Sequence, residues 1–260
     1  MKISISLIKT LIKEDISNRY QSSILGLAWS FLTPLLQLAL FTFVFGVVLK
    51  TKWNLGDQNE SIFDFSIILF TGLVVFQFFA DIFSKSTGLL FQYEYMVKKV
   101  VFPIQILPLI LVISSLFHMI IAIVGIILIN LIAGRFLSLT ILYVPFVLLT
   151  LLPISLGITY LLSSLGVYIR DLSHFIITAI PGLLFLSPIF YPVKALPEWL
   201  QSFMFFNPVA FPVEELRNVI LFSKSPDFTL ALVNIIYGIV VFILGYYVFK
   251  KSQKGFADVI

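Results

Sequence analysis

The residues that could do chemistry in this chain are few, and their spacing is poor for catalysis. His118 and His174 lie 56 residues apart and form no HxxH or HExxH pair, so no helix face offers two imidazoles to one metal ion. There is no cysteine, which removes thiolate nucleophiles, thiolate metal sites and disulfides. No GxxxxGKS/T loop occurs, so that device for gripping nucleotide phosphates is missing from this polypeptide. Carboxylates gather near a cation at Glu198, Glu214, Glu215 and Arg217, but this spacing matches no catalytic motif. The other charges form short clusters: Asp15 and Arg19 beside Tyr20; Glu94 with Lys98 and Lys99; and Arg170 with Asp171. Asp15/Arg19 and Glu94/Lys98 are acid-first i,i+4 pairs, the favourable order on a helix. Groups of this kind make rigid contacts to a partner more readily than they move protons.

The elements that carry these clusters are set by an extreme composition. Of 260 residues 60% are hydrophobic and 12% charged, with a mean hydropathy of +1.07. Soluble domains average about 25% charged residues, so the chain reads as an all-α membrane protein crossing the bilayer several times. A span needs about 20 apolar helical residues. No charge falls in residues 20–49, 100–134 or 136–169. The pattern predicts six transmembrane helices at 25–49, 63–83, 104–133, 137–169, 175–191 and 228–249. Arg135 marks a turn between the third and fourth. The second span is short, so Asp64 and Asp81 at its ends must sit near headgroups or be shielded by protein.

Residues 1–22 are predicted to form an amphipathic interface helix. Ile5, Leu7, Ile8, Leu11, Ile12 and Ile16 fall on one half of the wheel, and Lys2, Ser6, Lys9, Thr10 and Lys13 on the other. Its apolar residues are interleaved with charges, unlike a signal peptide. Residues 192–225 hold Pro192, Pro197, Pro208 and Pro212 between apolar pieces too short to cross. They read as a re-entrant helical region between the fifth and sixth spans, where protein or water must satisfy the backbone. His118 within the third span is a functional candidate by default; a neutral imidazole bonded to a neighbouring helix is the plainer alternative.

The order Asp15, Arg19-Tyr20, Ser23-Ile24-Leu25-Gly26, Trp29 and Pro34 resembles the start of the membrane subunit of bacterial ATP-driven polysaccharide exporters, the permeases for O-antigen, capsule and teichoic acid. Further matches are Lys98, Lys99, Phe102 and Pro103 before Ile106-Leu107-Pro108; Arg170-Asp171; Ser187-Pro188-Ile189-Phe190-Tyr191; Asn207-Pro208 with Arg217; and the run from Lys254 to Asp258. Together they cover most of the chain.

The resemblance implies a homodimer of this chain with two copies of a cytosolic nucleotide-binding ATPase. ATP and Mg would be bound by that partner and no cofactor by this chain. The cargo implied is an undecaprenyl-linked polysaccharide, with membrane lipid around the complex and no nucleic acid involved. The first and fifth spans would line a path between the two copies, with Ser30, Thr33, Gln37 and Phe41 on one face of the first and Phe190 and Tyr191 at the mouth of the fifth. Asp15, Arg19, Tyr20, Glu94, Lys98, Lys99, Arg170 and Asp171 would receive the push of the ATPase. Grouping basic residues by expected side puts 11 of the 17 with the termini. The positive-inside rule then places both termini in the cytoplasm of a bacterial inner membrane and residues 192–225 outside. O-antigen is the cargo expected first. Teichoic acid and capsular polysaccharide are alternatives on the same fold, and an enzyme acting on polyprenyl-linked sugars, built on the Glu198 to Arg217 carboxylates, is the alternative from another class.

Overall fold

The computed structural model describes residues 5–19, 25–48, 62–99, 102–134 and 138–260. The expected loop from Lys50 to Glu60, the turn at Arg135 and Tyr20 lie outside them. All regular elements among the described residues are helices. In chain order they are α1 (Ile5–Asn18), α2 (Trp29–Phe41), α3 (Ile62–Ser86), α4 (Leu89–Gln92), α5 (Glu94–Lys99), α6 (Leu107–Ile132), α7 (Val144–Tyr168), α8 (Leu172–Leu186), α9 (Glu198–Met204), α10 (Ala210–Ile220), α11 (Phe228–Ser252) and α12 (Phe256–Val259). A 3₁₀ turn, Gly26–Ala28, leads into α2, and a π-helical stretch, Thr42–Val48, continues it. That makes 26–48 one unbroken helical run, although α2 proper is only 13 residues long.

Four segments are long and apolar enough to cross a membrane: Asp64–Ser86, Ile104–Ile132, Leu139–Tyr168 and Phe228–Val259. Two shorter apolar helices, Leu32–Val48 and Leu172–Leu186, fall where the first and fifth spans are expected. The protein is therefore a multi-pass, all-helical membrane protein.

α3 is the hub. Phe70, Phe79, Leu69 and Ile82 along it are fully enclosed, and it packs against α2, α6, α7, α8 and α10. The main core forms around it, with Val112 and Ile126 from α6, Leu151 from α7 and Leu216 from α10. α7 and α11 form the closest pair and run in the same direction. Phe146 meets Phe228 near one end, and the Tyr168 hydroxyl donates to the Ser252 carbonyl at the other, at 2.9 Å. Glycine makes the approach possible: a Cβ on Gly157 would lie 2.5 Å from the Phe242 backbone nitrogen, and one on Gly245 would strike the Gly157 carbonyl. Small residues at such crossings let membrane helices pack backbone to backbone.

A second core sits at the end of the bundle where α11 finishes. Leu11 of α1, Leu90 of α4, Val97 of α5, and Phe249 and Phe256 meet there. The apolar stripe of α1 is thus partly spent on protein, with Leu11 buried. The opposite end holds α9 and α10, between prolines.

Two boundaries differ from expectation. α8 begins at Leu172 and ends at Leu186, whereas the hydropathy runs on to Tyr191. Pro188 disfavours helical geometry at the residue before it, and Ser187 is extended, with ψ at 148°. In the fourth expected span a 3₁₀ turn, Leu139–Tyr143, precedes α7. Its Thr140 hydroxyl donates to the Val219 carbonyl of α10 at 2.7 Å.

Candidate functional site

The polar residues of the apolar helices converge where α1, α2, α3 and α6 meet. Arg19, just after α1, reaches across to α3, and its Nη2 lies 2.5 Å from Asp81 Oδ2. Lys85, one turn further along α3, holds the other carboxylate oxygen at 2.8 Å. The Ser115 hydroxyl of α6 donates to Asp81 Oδ2 at 2.5 Å, and Arg19 also reaches Ser115 Oγ at 3.3 Å. The neighbouring Ser114 hydroxyl donates to Asp15. Three elements distant in sequence are tied together by two acids, two bases and two hydroxyls.

This arrangement corrects the local reading of α1. Asp15 and Arg19 do not pair with each other; each turns inward to a partner on another helix. An exposed i,i+4 pair contributes only about 0.3–0.5 kcal/mol, so a charge-assisted contact away from bulk water displaces it. Asp81 is shielded by protein, as an acid near the end of a short span must be.

Beside the cluster lies a cavity of about 190 Å³. Arg19, Asp81 and Ser115 form part of its wall, and Thr33, Gln37, Gln77 and His118 supply the other polar groups. Trp29, Pro34 and Met119 are among its apolar lining. Thr33 and Gln37, predicted from the sequence on the first span, therefore face a space shared with α3 and α6. Of Ser30 only the backbone is described. Phe41 packs on the main core and stacks on Phe45, with centroids 5.9 Å apart. Phe45 in turn meets Phe190 at 5.4 Å, and Phe190 stacks on Phe185 at 5.5 Å. The Tyr191 hydroxyl donates to the Phe185 carbonyl at 2.9 Å. Gln37 and Phe190 thus lie in two regions, polar at one depth and aromatic at another.

The remaining predicted contact residues lie on the outside of the same end as α12. Glu94 and Lys98 pair at 2.7 Å on the exposed face of α5. Arg170 and Asp171 are exposed in the short link between α7 and α8. The side chain of Lys99 lies outside the described set.

Of the charged residues considered for catalysis, Glu214, Glu215 and Arg217 have structural work. Arg217, only 2% exposed, donates to the carbonyls of Ile68, Pro188 and Ile189 at 3.1, 2.7 and 2.8 Å. It thereby satisfies backbone that Pro188 leaves outside a helix. Glu215 accepts from the Asp227 amide at 3.1 Å and from Asn218 at 3.3 Å. Burial raises its pKa, and the hydrogen bond from the Asp227 backbone lowers it in part. Glu214 accepts from the Val193 amide at 3.3 Å. These groups bind their own chain, chiefly its backbone.

Sequence reading missed Asp81, Lys85, Ser114 and Ser115 as parts of a site. One signal was available: an acid and a base one turn apart at the end of a span, together with a Ser-Ser pair inside the next.

With the geometry in place, comparison with known proteins gives the class. A family described as "ABC-2 type transporter" matches residues 6–221, from α1 through α10. The chain belongs to that family and is a transporter membrane subunit. Its relatives include two proteins of Klebsiella pneumoniae named "O-antigen export system permease protein RfbA". They are 26% and 27% identical over 260 and 258 residues, and each alignment covers 98% of this chain and 95% of the relative. A protein of the same name from Myxococcus xanthus is 23% identical over 254 residues, covering 97% of this chain and 94% of its own length.

Proposed function

We propose that this chain is the membrane subunit of an ATP-driven exporter that carries a lipid-linked polysaccharide, O-antigen in the first instance, across a bacterial inner membrane. The observation that carries this reading is the extent of the similarity. Permeases named for O-antigen export align over 98% of the chain. The lack of a GxxxxGKS/T loop in the sequence supports the reading that a separate subunit hydrolyses ATP.

The working unit is two copies of this chain with two ATPase subunits. Each copy crosses the membrane six times, with α2 and α8 counted as spans. Both termini lie in the cytoplasm, and the proline-bounded segment with α9 and α10 lies on the outer side, re-entering the bilayer. α2 and α8 carry exposed apolar faces, including Leu36 and Leu40 on one and Phe175 and Phe185 on the other. These faces suit a path between copies, with Phe190 and Tyr191 towards its outer mouth. Glu94, Lys98, Arg170 and Asp171 would meet the ATPase. Asp15 and Arg19 would carry the push inward, onto α6 and α3. The buried, backbone-directed roles of Glu215 and Arg217 favour transport over the polyprenyl-sugar enzyme.

The test is reconstitution. The chain and its ATPase in proteoliposomes should deliver lipid-linked polysaccharide to the far leaflet only with ATP. Delivery by the chain alone would overturn the reading.

A further inference from the structure

Three helices send polar groups into one space within an otherwise apolar bundle. Gln37 of α2, Gln77 of α3 and His118 of α6 line the cavity described above, and Trp29 adds an indole. No hydrogen bond joins the Gln37 or Gln77 carboxamide to another described residue. Gln37 is half-buried and Gln77 is exposed, so both carboxamides are open to hydrogen-bonding matter that enters the cavity. Its volume, about 190 Å³, is far above the roughly 10–15 Å³ that admits one water. It is below the about 300 Å³ at which pockets for drug-sized ligands begin.

The chemistry of the wall narrows the ligand class. Arg19 is matched on the rim by Asp81 at 2.5 Å, so that pair presents no net charge, and an anion would also meet the Asp81 carboxylate. An acyl chain would leave both carboxamides unsatisfied. A carboxamide donates and accepts at once, as a hydroxyl does, and an indole offers a flat apolar face. Paired donors and acceptors, a flat ring and charge balance together suit a single neutral sugar ring, whose hydroxyls point sideways and whose C–H faces stack.

We propose that the cavity bounded by Gln37, Gln77, His118 and Trp29 is a subsite for one hexose-sized ring of the exported glycan, off the main path. It rests on the exporter reading and extends it. The proposed path between copies would follow α2 and α8, whereas Gln77 and His118 belong to α3 and α6. Gln37 belongs to α2, which that path would follow, and also lines the cavity, so a ring could leave the moving chain and dwell against Gln77. Such a dwell would give the exporter a preference for particular sugars at one position of the cargo.

The experiment uses the assembled permease–ATPase complex loaded with its lipid-linked polysaccharide. A benzophenone amino acid is placed at Gln77 and, separately, at Phe190. Carbohydrate cross-linked at both positions supports the subsite. Carbohydrate at 190 with none at 77 overturns the subsite and leaves the exporter reading standing. Carbohydrate at neither position overturns both. Where the bulky residue prevents assembly, Gln77→Cys replaces it, since the native chain has no cysteine. Loading with lipid-linked polysaccharide should slow labelling of that cysteine by a water-soluble methanethiosulfonate at least about fivefold. Labelling unchanged by loading would mean a water-filled space only and would sink the subsite.

Discussion

Arg19 Nη2 and Ser115 Oγ meet on a single oxygen of Asp81, each at 2.5 Å, while Lys85 takes the other oxygen at 2.8 Å. The end of α1 is thereby fastened to α3 and α6 through one carboxylate. In the exporter reading, displacement of α1 must move both helices or break this contact.

A double-mutant cycle on Arg19→Met and Asp81→Asn measures the fastening. The side chains are 19% and 18% exposed, so the pair is largely sheltered from water. Each single change leaves a charge with a lost partner, and the coupling should be about 1–3 kcal/mol. Thermal unfolding of the four proteins in one detergent reads it directly. Strictly additive shifts would show that Asp81 does not depend on Arg19.

Arg217 binds three carbonyls from three nitrogens in a fixed fork. A lysine keeps the charge but cannot reproduce that geometry. Arg217→Lys should therefore destabilise by about 1–3 kcal/mol through unsatisfied buried carbonyls, nearly as much as Arg217→Met. Limited proteolysis between residues 187 and 227 should speed up in both variants. Protection at the native level in the lysine variant would refute the geometric role.

The glycines of the α7–α11 crossing should rank by the space each lacks. Gly157→Ala and Gly245→Ala push a methyl into backbone, while Gly238→Ala meets Ile154 N at 3.0 Å. The first two should lose about 1–3 kcal/mol or more from overpacking, and Gly238→Ala less. Gly182→Ala on α8, with nothing within 4 Å, should be neutral or slightly stabilising. Melting temperatures of the four variants provide the check, and an equal loss in all four would mean that crowding is not the cause.

The exposed Arg170 and Asp171 link should matter for coupling and little for stability. A double alanine variant should melt within about 2 °C of the native protein, since surface changes stay near ±0.5 kcal/mol. Its stimulation of the partner ATPase by lipid-linked cargo should fall several-fold. Native stimulation in the double variant would remove this link from the mechanism.

Much of the architecture was legible because charge-free runs such as 100–134 and 136–169 can only be apolar helices of spanning length. The end of α8 was not, because Ile189, Phe190 and Tyr191 continue the hydropathy while Pro188 ends the helix. Hydropathy does not register φ and ψ. The cluster was half legible. Arg19 and Asp15 stood out as charges at a junction, but their partners lie 62 and 99 residues away, and the i,i+4 rule offered a nearer, wrong pairing. Arg217 looked like a member of an acidic group until the carbonyls freed around Pro188 gave it a place. Gly157 and Gly245 carry no signal until α7 and α11 are known to be neighbours.

The glycine crossing has a mechanical consequence. Helices joined backbone to backbone at their middle, and tied by side chains near both ends, resist sliding and splaying, so α7 and α11 form a stiff keel. α2 and α8, with large faces left uncovered, behave as planking hung on that keel. Any opening of the bundle is thus borne by the planks, and the keel keeps its alignment from one stroke to the next.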